Sequence, residues 1–382
     1  MRRLKRLAVL SVVLALALLA SCTISTQSTE SAKEAGPRIV FEIIESPTDT
    51  PTPSPGRIAR AANPATTARD PYVDLQAVPH GYISMGYITY INDNLYSRTP
   101  FSYRELETAL WIVDQLLAMG YTQDDIEIQQ FGWEDAVQWA MFSWETAEGS
   151  RRFWDDFPAR GDRLSQNVIL SVPGRSERVI VVGAHYDSTP YPGAADNASG
   201  VALLLESAER MLHQDNYYTI VYVFFGAEEI GILGSYFYLE SLSETQREMI
   251  EFMVNADSLF DTPYPLYGAG YSREQVPQTN EITRMVDSIA GQIYDFYDIE
   301  ILDFPYAIFW TTDHLPFLEA GYTVVVFAGL HESRLILPGQ LRILHSHRDC
   351  IHYINENWPG KAERAMHAYS VFLERILLAR YS

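Results

Sequence analysis

Several β-branched, apolar runs in this chain show no alternation. They are "QNVILSVPG" (166–174), "RVIVVGAHYD" (178–187), "YTIVYVFFGAEE" (218–229), "MIEFMVNAD" (249–257) and "YTVVVFAG" (322–329). A strand with one face in water alternates apolar and polar residues, whereas a strand apolar at successive positions needs cover on both faces. Segments with helical spacing lie between these runs: "GVALLLESAERMLHQ" (200–214), "GSYFYLESLS" (234–243), "TNEITRMVDSIAGQIY" (279–294) and the long amphipathic "GKAERAMHAYSVFLERILLARY" (360–381). Upstream, "SYRELETALWIVDQLLAMGY" reads as a helix stopped at Gly120, and "DIEIQQF" as a strand. Buried strands alternating with helices specify an α/β fold, a mostly parallel mixed sheet with helices on both faces. No repeat and no second-domain linker is visible after residue 80.

The first 80 residues are different. "MRRLKR" is followed by a 14-residue apolar run, Leu7–Ala20, short for a membrane span but suited to a signal h-region. "LASC" then places small residues before Cys22, which resembles a bacterial lipoprotein signal. Cleavage after residue 21 would leave Cys22 as the lipidated N-terminus of an exported, membrane-anchored protein. Residues 22–75 are rich in Ser, Thr and Pro and read as a tether, interrupted by "RIVFEII"; residues 76–382 form the expected domain. Loss of Arg2, Arg3, Lys5 and Arg6 from 28 basic residues would leave 24 against 49 acidic ones, a net of −25. Such a charge argues against nucleic-acid binding, and it would oppose an anionic membrane, so the lipid would have to do the anchoring. With Cys22 lipidated, Cys350 has no partner for an internal disulfide.

In open α/β sheets, ligands bind beyond the carboxyl ends of the strands. His185-Tyr186-Asp187, Glu228-Glu229 and Asp257 stand at such ends; Asp196 precedes a helix, and His345 and Asp349 follow the last strand. Alone, each reads as an ordinary hydrogen-bonded residue, helix start or cap. Together they are a concentration of carboxylates that burial would penalise unless a cation compensates, and carboxylate with imidazole suits zinc.

The stretches "NVILSVPG", "VIVVGAHYDSTPYPGAADNASGVALLLE", "VFFGAEEIGILGSYFY", "NADSL", "TTDHLPFLEAGYTVVVF" and "LHSHRD", in this order over roughly residues 166–350, resemble the M28 family of zinc aminopeptidases. The resemblance implies that family's phosphorylase/hydrolase-like architecture and two zinc ions. His185 and Asp257 would hold one, Glu229 and His345 the other, and Asp196 would bridge them. Asp187 would orient the His185 ring. Glu228, turned away from Glu229 by strand alternation, would be the general base that takes a proton from the shared water and returns it to the leaving amine. The implied substrate is a peptide with a free N-terminus.

Some positions depart from the pattern. The family's H-T-x-x-D is here His345-Ser346-His347-Arg348-Asp349. His347 is a second candidate ligand that would share a strand face with His345; the spacing to Asp349 favours His345, and His352 is a weaker third option. Asp313 and His314 would shape the substrate site, and Tyr306 is the only nearby candidate for an oxyanion donor. Phe309 and Trp310 fit either an apolar pocket or the core. The Trp-rich segment 131–160 and the connection 331–343 have no counterpart to carry over. A glutaminyl cyclase of related fold would need only one zinc, on Asp196, Glu229 and His345. A tethered binding protein that had lost catalysis would be expected to have lost some of these residues, and none is missing.

Overall fold

A computed structural model describes residues 75–136, 160–262, 264–272, 274, 277–328 and 343–380. The expected signal segment, Cys22, the tether as far as residue 74, the Trp-rich stretch 137–159 and the connection 331–342 lie outside the described residues.

Two helices, α1 (Tyr82–Asn94) and α2 (Tyr103–Met119), precede strands β1 (Ile126–Gly132), β2 (Leu164–Val172) and β3 (Ser176–His185). Helix α3 (Ser199–Met211), β4 (Tyr218–Phe225), α4 (Leu233–Ser241), β5 (Ile250–Asp257) and β6 (Leu266–Gly270) follow. The chain ends with α5 (Glu281–Tyr297), β7 (Leu302–Asp303), β8 (Thr323–Ala328) and α6 (Lys361–Leu378), with shorter helices between. The α2 stop at Gly120 is as expected: Gly120 has φ 117°, a left-handed cap that glycine adopts without steric cost. Strands β6 and β7 are additions to the expected set, because "LYGAG" and "LD" are too short and too glycine-rich to give a periodic signal.

The eight strands form one sheet in the order β1-β2-β4-β3-β5-β8-β6-β7. Strands β4, β3, β5 and β8 are mutually parallel, while β1, β2 and β6 join antiparallel to their neighbours toward the centre. Both faces are covered, which explains the continuous apolar runs. Ile180, Val182, Phe224, Val254 and Phe327 face the larger core with α1, α3 and α6; Val181, Val223, Met253 and Val326 face α4 and the short helix Leu315–Glu319. Helix α3 is buried along its whole length, and its Glu206 and Arg210 pair at 2.9 Å, so neither charge is left uncompensated. Strand β3 is the switch point of the sheet: β4 lies on one side of it and β5 on the other, which opens a crevice beyond its carboxyl end.

Candidate metal centre

Four parallel strands deliver their ends to that crevice. His185 is the last residue of β3 and Asp257 the last of β5; Glu228 and Glu229 follow β4; His345 comes in the chain after β8. Asp196 lies in a π-helical turn, Ala194–Ala198, between β3 and α3. His185 Nε2 is 3.2 Å from Asp196 Oδ1, 3.6 Å from Asp257 Oδ1 and 4.0 Å from Glu228 Oε2. His345 Nε2 is 3.0 Å from Asp196 Oδ2 and 3.2 Å from Glu229 Oε2. The two oxygens of Asp196 therefore face two different imidazoles.

The D-N-x-S-G sequence has a physical account. Asn197 Nδ2 donates to Ala256 O at 2.9 Å, and its Oδ1 accepts from Gly200 N–H at 2.9 Å, so Asn197 does the capping and the Asp196 carboxylate can face the histidines. Ser199 Oγ donates to Ala195 O and accepts from Leu259 N–H, tying the turn to the residues after Asp257. At position 200 a Cβ would lie 2.3 Å from Ala256 O, so only glycine fits there.

Two further carboxylates interlock the loops. Asp187 accepts from the Glu228 N–H at 3.0 Å through Oδ1 and from the Glu229 N–H at 3.1 Å through Oδ2. Asp349 accepts from Ala195 N–H at 2.6 Å and from Asp196 N–H at 3.0 Å. Each histidine-bearing segment thus carries an aspartate that fixes the backbone of an acidic residue facing that histidine. The His185 ring has the main-chain oxygen of Asp187 3.2 Å from Nδ1, with the carboxylate at 3.5 Å. Glu229 Oε1 also accepts from Thr189 N–H, and Asp257 accepts from the hydroxyls of Thr312 at 2.6 Å and Ser258 at 3.0 Å.

Two geometric expectations are corrected. Glu228 and Glu229 stand in a turn beyond β4, entered through Ala227 at φ 55°, so turn geometry and the two bonds to Asp187, not strand alternation, separate their side chains. Residues 343–350 are likewise turns rather than a strand, and His345 itself has φ 52°. His345, itself exposed, reaches the carboxylates of Asp196 and Glu229; His347 is exposed as well, and His352 pairs with Asp93 at 2.7 Å. Non-glycine residues at such φ cost of order 1–3 kcal/mol each and persist where surrounding bonds over-determine them.

Asp313 and His314 are wholly buried, with His314 Nε2 3.0 Å from Ile308 O. Tyr306 packs its ring beside Phe304 and Phe309 on the single turn Pro305–Phe309. Phe309 and Trp310 are half-buried and pack against the smaller core. Two buried residues give no signal in the sequence because they lie far from the strand ends, in the α1–α2 region. Arg98 is fully buried against the His185–Asp196 loop, and Glu105 accepts from the Ala227 N–H at 3.1 Å and the Ser165 hydroxyl at 2.7 Å.

Burial dominates the electrostatics. It raises Glu228 well above the ordinary carboxylate value, opposed by His185 and reinforced by Asp313, Asp257 and Glu229. It raises Glu229 as well, with Asp196 adding to the rise. For Asp196 burial acts upward, but hydrogen bonds from His185 and His345 outweigh it and hold the group well below normal; Asp257 is lowered by His185 in the same way. Burial opposes protonation of His345, yet Glu229 and Asp196 push it up to about 12. These residues fit a divalent cation. His185 Nε2 is buried with three carboxylates converging on it within 4.0 Å, an arrangement that one proton cannot satisfy and a metal can. Two overlapping sets, His185–Asp196–Glu229 and His185–Glu228–Asp257, have donor atoms close enough to share an ion.

Burial also raises Asp313 and Asp349 to about 7 from 3.8. Between those values the folded state binds more protons than the unfolded chain, so stability falls as pH rises; His345 adds the same sign above 6.5. The lowered Asp196 and Asp257 act only below about 3.8. Protein stripped of metal by chelation is therefore expected to melt at a higher temperature at pH 5 than at pH 8. Thermal scans across that range check this, and a flat or rising profile contradicts it.

The family model "Peptidase family M28" matches residues 167–370, more than half of the chain. The chain belongs to peptidase family M28. Among curated relatives, aminopeptidase YwaD of Bacillus subtilis is 30% identical over 200 residues, covering 51% of this chain and 42% of the relative. The chain spans less than half the length of the curated relatives it matches. Among solved structures, the zinc aminopeptidase BSAP from Bacillus subtilis superposes with a TM-score of 0.57 at 18% identity, covering 78% of this chain and 95% of that one. The glutaminyl cyclase of an Acidobacteriales bacterium gives a TM-score of 0.56 at 18% identity, covering 80% and 97%. At these identities the likeness establishes the M28 fold, while the family itself rests on the sequence match. Arg98 and Glu105 lie outside the matched residues of this M28 chain.

Proposed function

We propose that this M28 chain is a zinc-dependent aminopeptidase that removes residues from the free N-terminus of peptides. The observation that carries the reading is the convergence of His185, Asp257, Glu229 and His345 around the two oxygens of Asp196, with Glu228 alongside. His185 and Asp257 would hold one zinc, Glu229 and His345 a second, and Asp196 both. Bound zinc supplies an acidified water and polarises the scissile carbonyl. Glu228 takes the proton of the attacking water and delivers it to the leaving amine; its half-buried position gives it both raised basicity and access to the cleft. Asp187 holds Glu228 and Glu229 by their backbones, and Asp349 does the same for Asp196. Asp187→Asn is expected to lower zinc affinity or kcat by about 10–100-fold, the scale of such supporting carboxylates. Chelator competition and steady-state kinetics measure it, and a variant matching the parent in both contradicts the role.

A single-zinc glutaminyl cyclase on Asp196, Glu229 and His345 is the second reading, favoured by the likeness to cyclase structures. A metal count, paired with an aminoacyl reporter and a peptide beginning with glutamine, separates the two. Two zincs with release of amino acid support the peptidase. One zinc, with ammonia released and no peptide bond cut, supports the cyclase. Among the described residues no helix is long and apolar enough to cross a membrane. We infer from "LASC" that export and lipidation at Cys22 tether the domain outside the cytoplasm; mass analysis of the mature N-terminus for a diacylglyceryl group tests it.

A further inference from the structure

Arg98 is the largest fully buried side chain among the described residues, and it stands outside the family match. Its guanidinium donates through Nε to Tyr186 O at 2.7 Å, through Nη1 to Pro192 O at 2.8 Å and through Nη2 to Gly193 O at 3.2 Å. Its own backbone completes the grip: Arg98 N–H donates to Ser188 Oγ at 3.1 Å, and Ser188 N–H donates to Arg98 O at 3.1 Å. Ser97 N–H adds a bond to Tyr191 O. All these partners lie in residues 186–193, the loop that joins His185 to Asp196. That loop has no regular secondary structure to hold its length, so the span between the two side chains depends on what grips it.

We propose that Arg98 is a positioning residue that sets the separation of His185 and Asp196 by clamping the carbonyls of the intervening loop. The inference rests on the metal-centre reading above. Three carbonyls in different directions need rigid, divergent N–H donors. The planar guanidinium fork supplies them, and the ammonium of lysine cannot reproduce them from one point. Arg98 also stands near Asp187, Asp349, Glu229 and Asp196, so its charge offsets part of theirs. Burial lowers its pKa only to about 10, and it stays charged at neutral pH.

Arg98→Lys keeps the charge and removes the fork. It is expected to weaken zinc affinity about 10-fold or more, the scale seen when supports of ligands are lost, and to shift the visible absorption bands of the cobalt-loaded protein. In turnover kcat should fall while KM changes little. Arg210→Lys is the control. Arg210 is a similarly buried arginine that grips the carbonyls of Leu75, Val78 and Pro79 at the other end of α3, so its loss should lower stability without changing zinc affinity. Ser188→Ala removes one partner of the clamp more gently and should weaken zinc severalfold; it decides the matter if Arg98→Lys does not fold. Zinc affinity is read by chelator competition on protein shown folded by circular dichroism. Parent-like affinity and cobalt spectrum in Arg98→Lys, or in Ser188→Ala where that variant decides, overturns the proposal. So does an equal loss in Arg210→Lys, which would make the effect one of general stability. If the parent protein itself binds no zinc, the metal-centre reading falls and this inference with it; if the parent binds zinc and Arg98→Lys binds it alike, this inference alone falls.

Discussion

Glu228→Gln is expected to keep its zinc and lower kcat by about 10²–10⁴-fold, the usual contribution of a positioned proton carrier. Glutamine has the same shape and can accept a hydrogen bond but cannot take up a proton. Glu228 is the farthest of the three carboxylates from His185 Nε2, at 4.0 Å against 3.2 Å for Asp196 and 3.6 Å for Asp257. It is also the one of the three whose pKa is raised, while the other two are held low. Its backbone is fixed by Asp187 through a main-chain bond that the substitution leaves in place. Metal analysis beside steady-state kinetics reads the result. A fully active variant removes Glu228 from the proton transfer, and loss of zinc in proportion to activity makes it a ligand instead.

Asp196→Asn is expected to weaken binding at both metal positions by more than about 100-fold, beyond the loss typical of supporting residues. The carboxylate presents Oδ1 to His185 and Oδ2 to His345. An amide must turn its NH₂ toward one of them, and it carries no charge to offset two cations. The main-chain bond from residue 196 to Asp349, and the cap that Asn197 provides, do not depend on the side chain, so the fold should survive. Chelator competition followed by metal count measures it. A variant that holds two zincs with parent affinity would remove the bridging role.

Much of this centre is legible in the sequence, and the rest is hidden for physical reasons. The strand runs announce a covered sheet because burial on both faces leaves no polar positions, and that signal is local to each run. His185, Glu228, Glu229 and Asp257 can be placed together because each ends or follows a strand, and parallel strands bring their ends to one edge. The resemblance to the family's spacing before Asp349 favours His345, which does reach the carboxylates. The strand expected to put His347 on the same face is instead a set of turns, closed locally by Ser346 and held by Asp349 against the distant amides of Ala195 and Asp196. The principal partners of Asp187 are hidden for the same kind of reason: a sequence shows the neighbouring His185 and not the Glu228 and Glu229 amides that β4 delivers beside it.

From sequence alone come the fold class, the edge of the sheet where acidic and imidazole groups collect, and the identity of those groups. Those follow from periodicity and residue type, which are properties of short stretches. The tertiary structure alone decides which oxygen faces which imidazole, that Asp187 and Asp349 accept from backbone amides, and that Arg98 and Glu105 reach the loops before Asp196 and Glu228 from the α1–α2 region. Those are contacts between residues far apart in the chain, 154 positions in the case of Asp349 with Ala195, and nothing in the spacing of a chain encodes a bond across that separation until the sheet has closed.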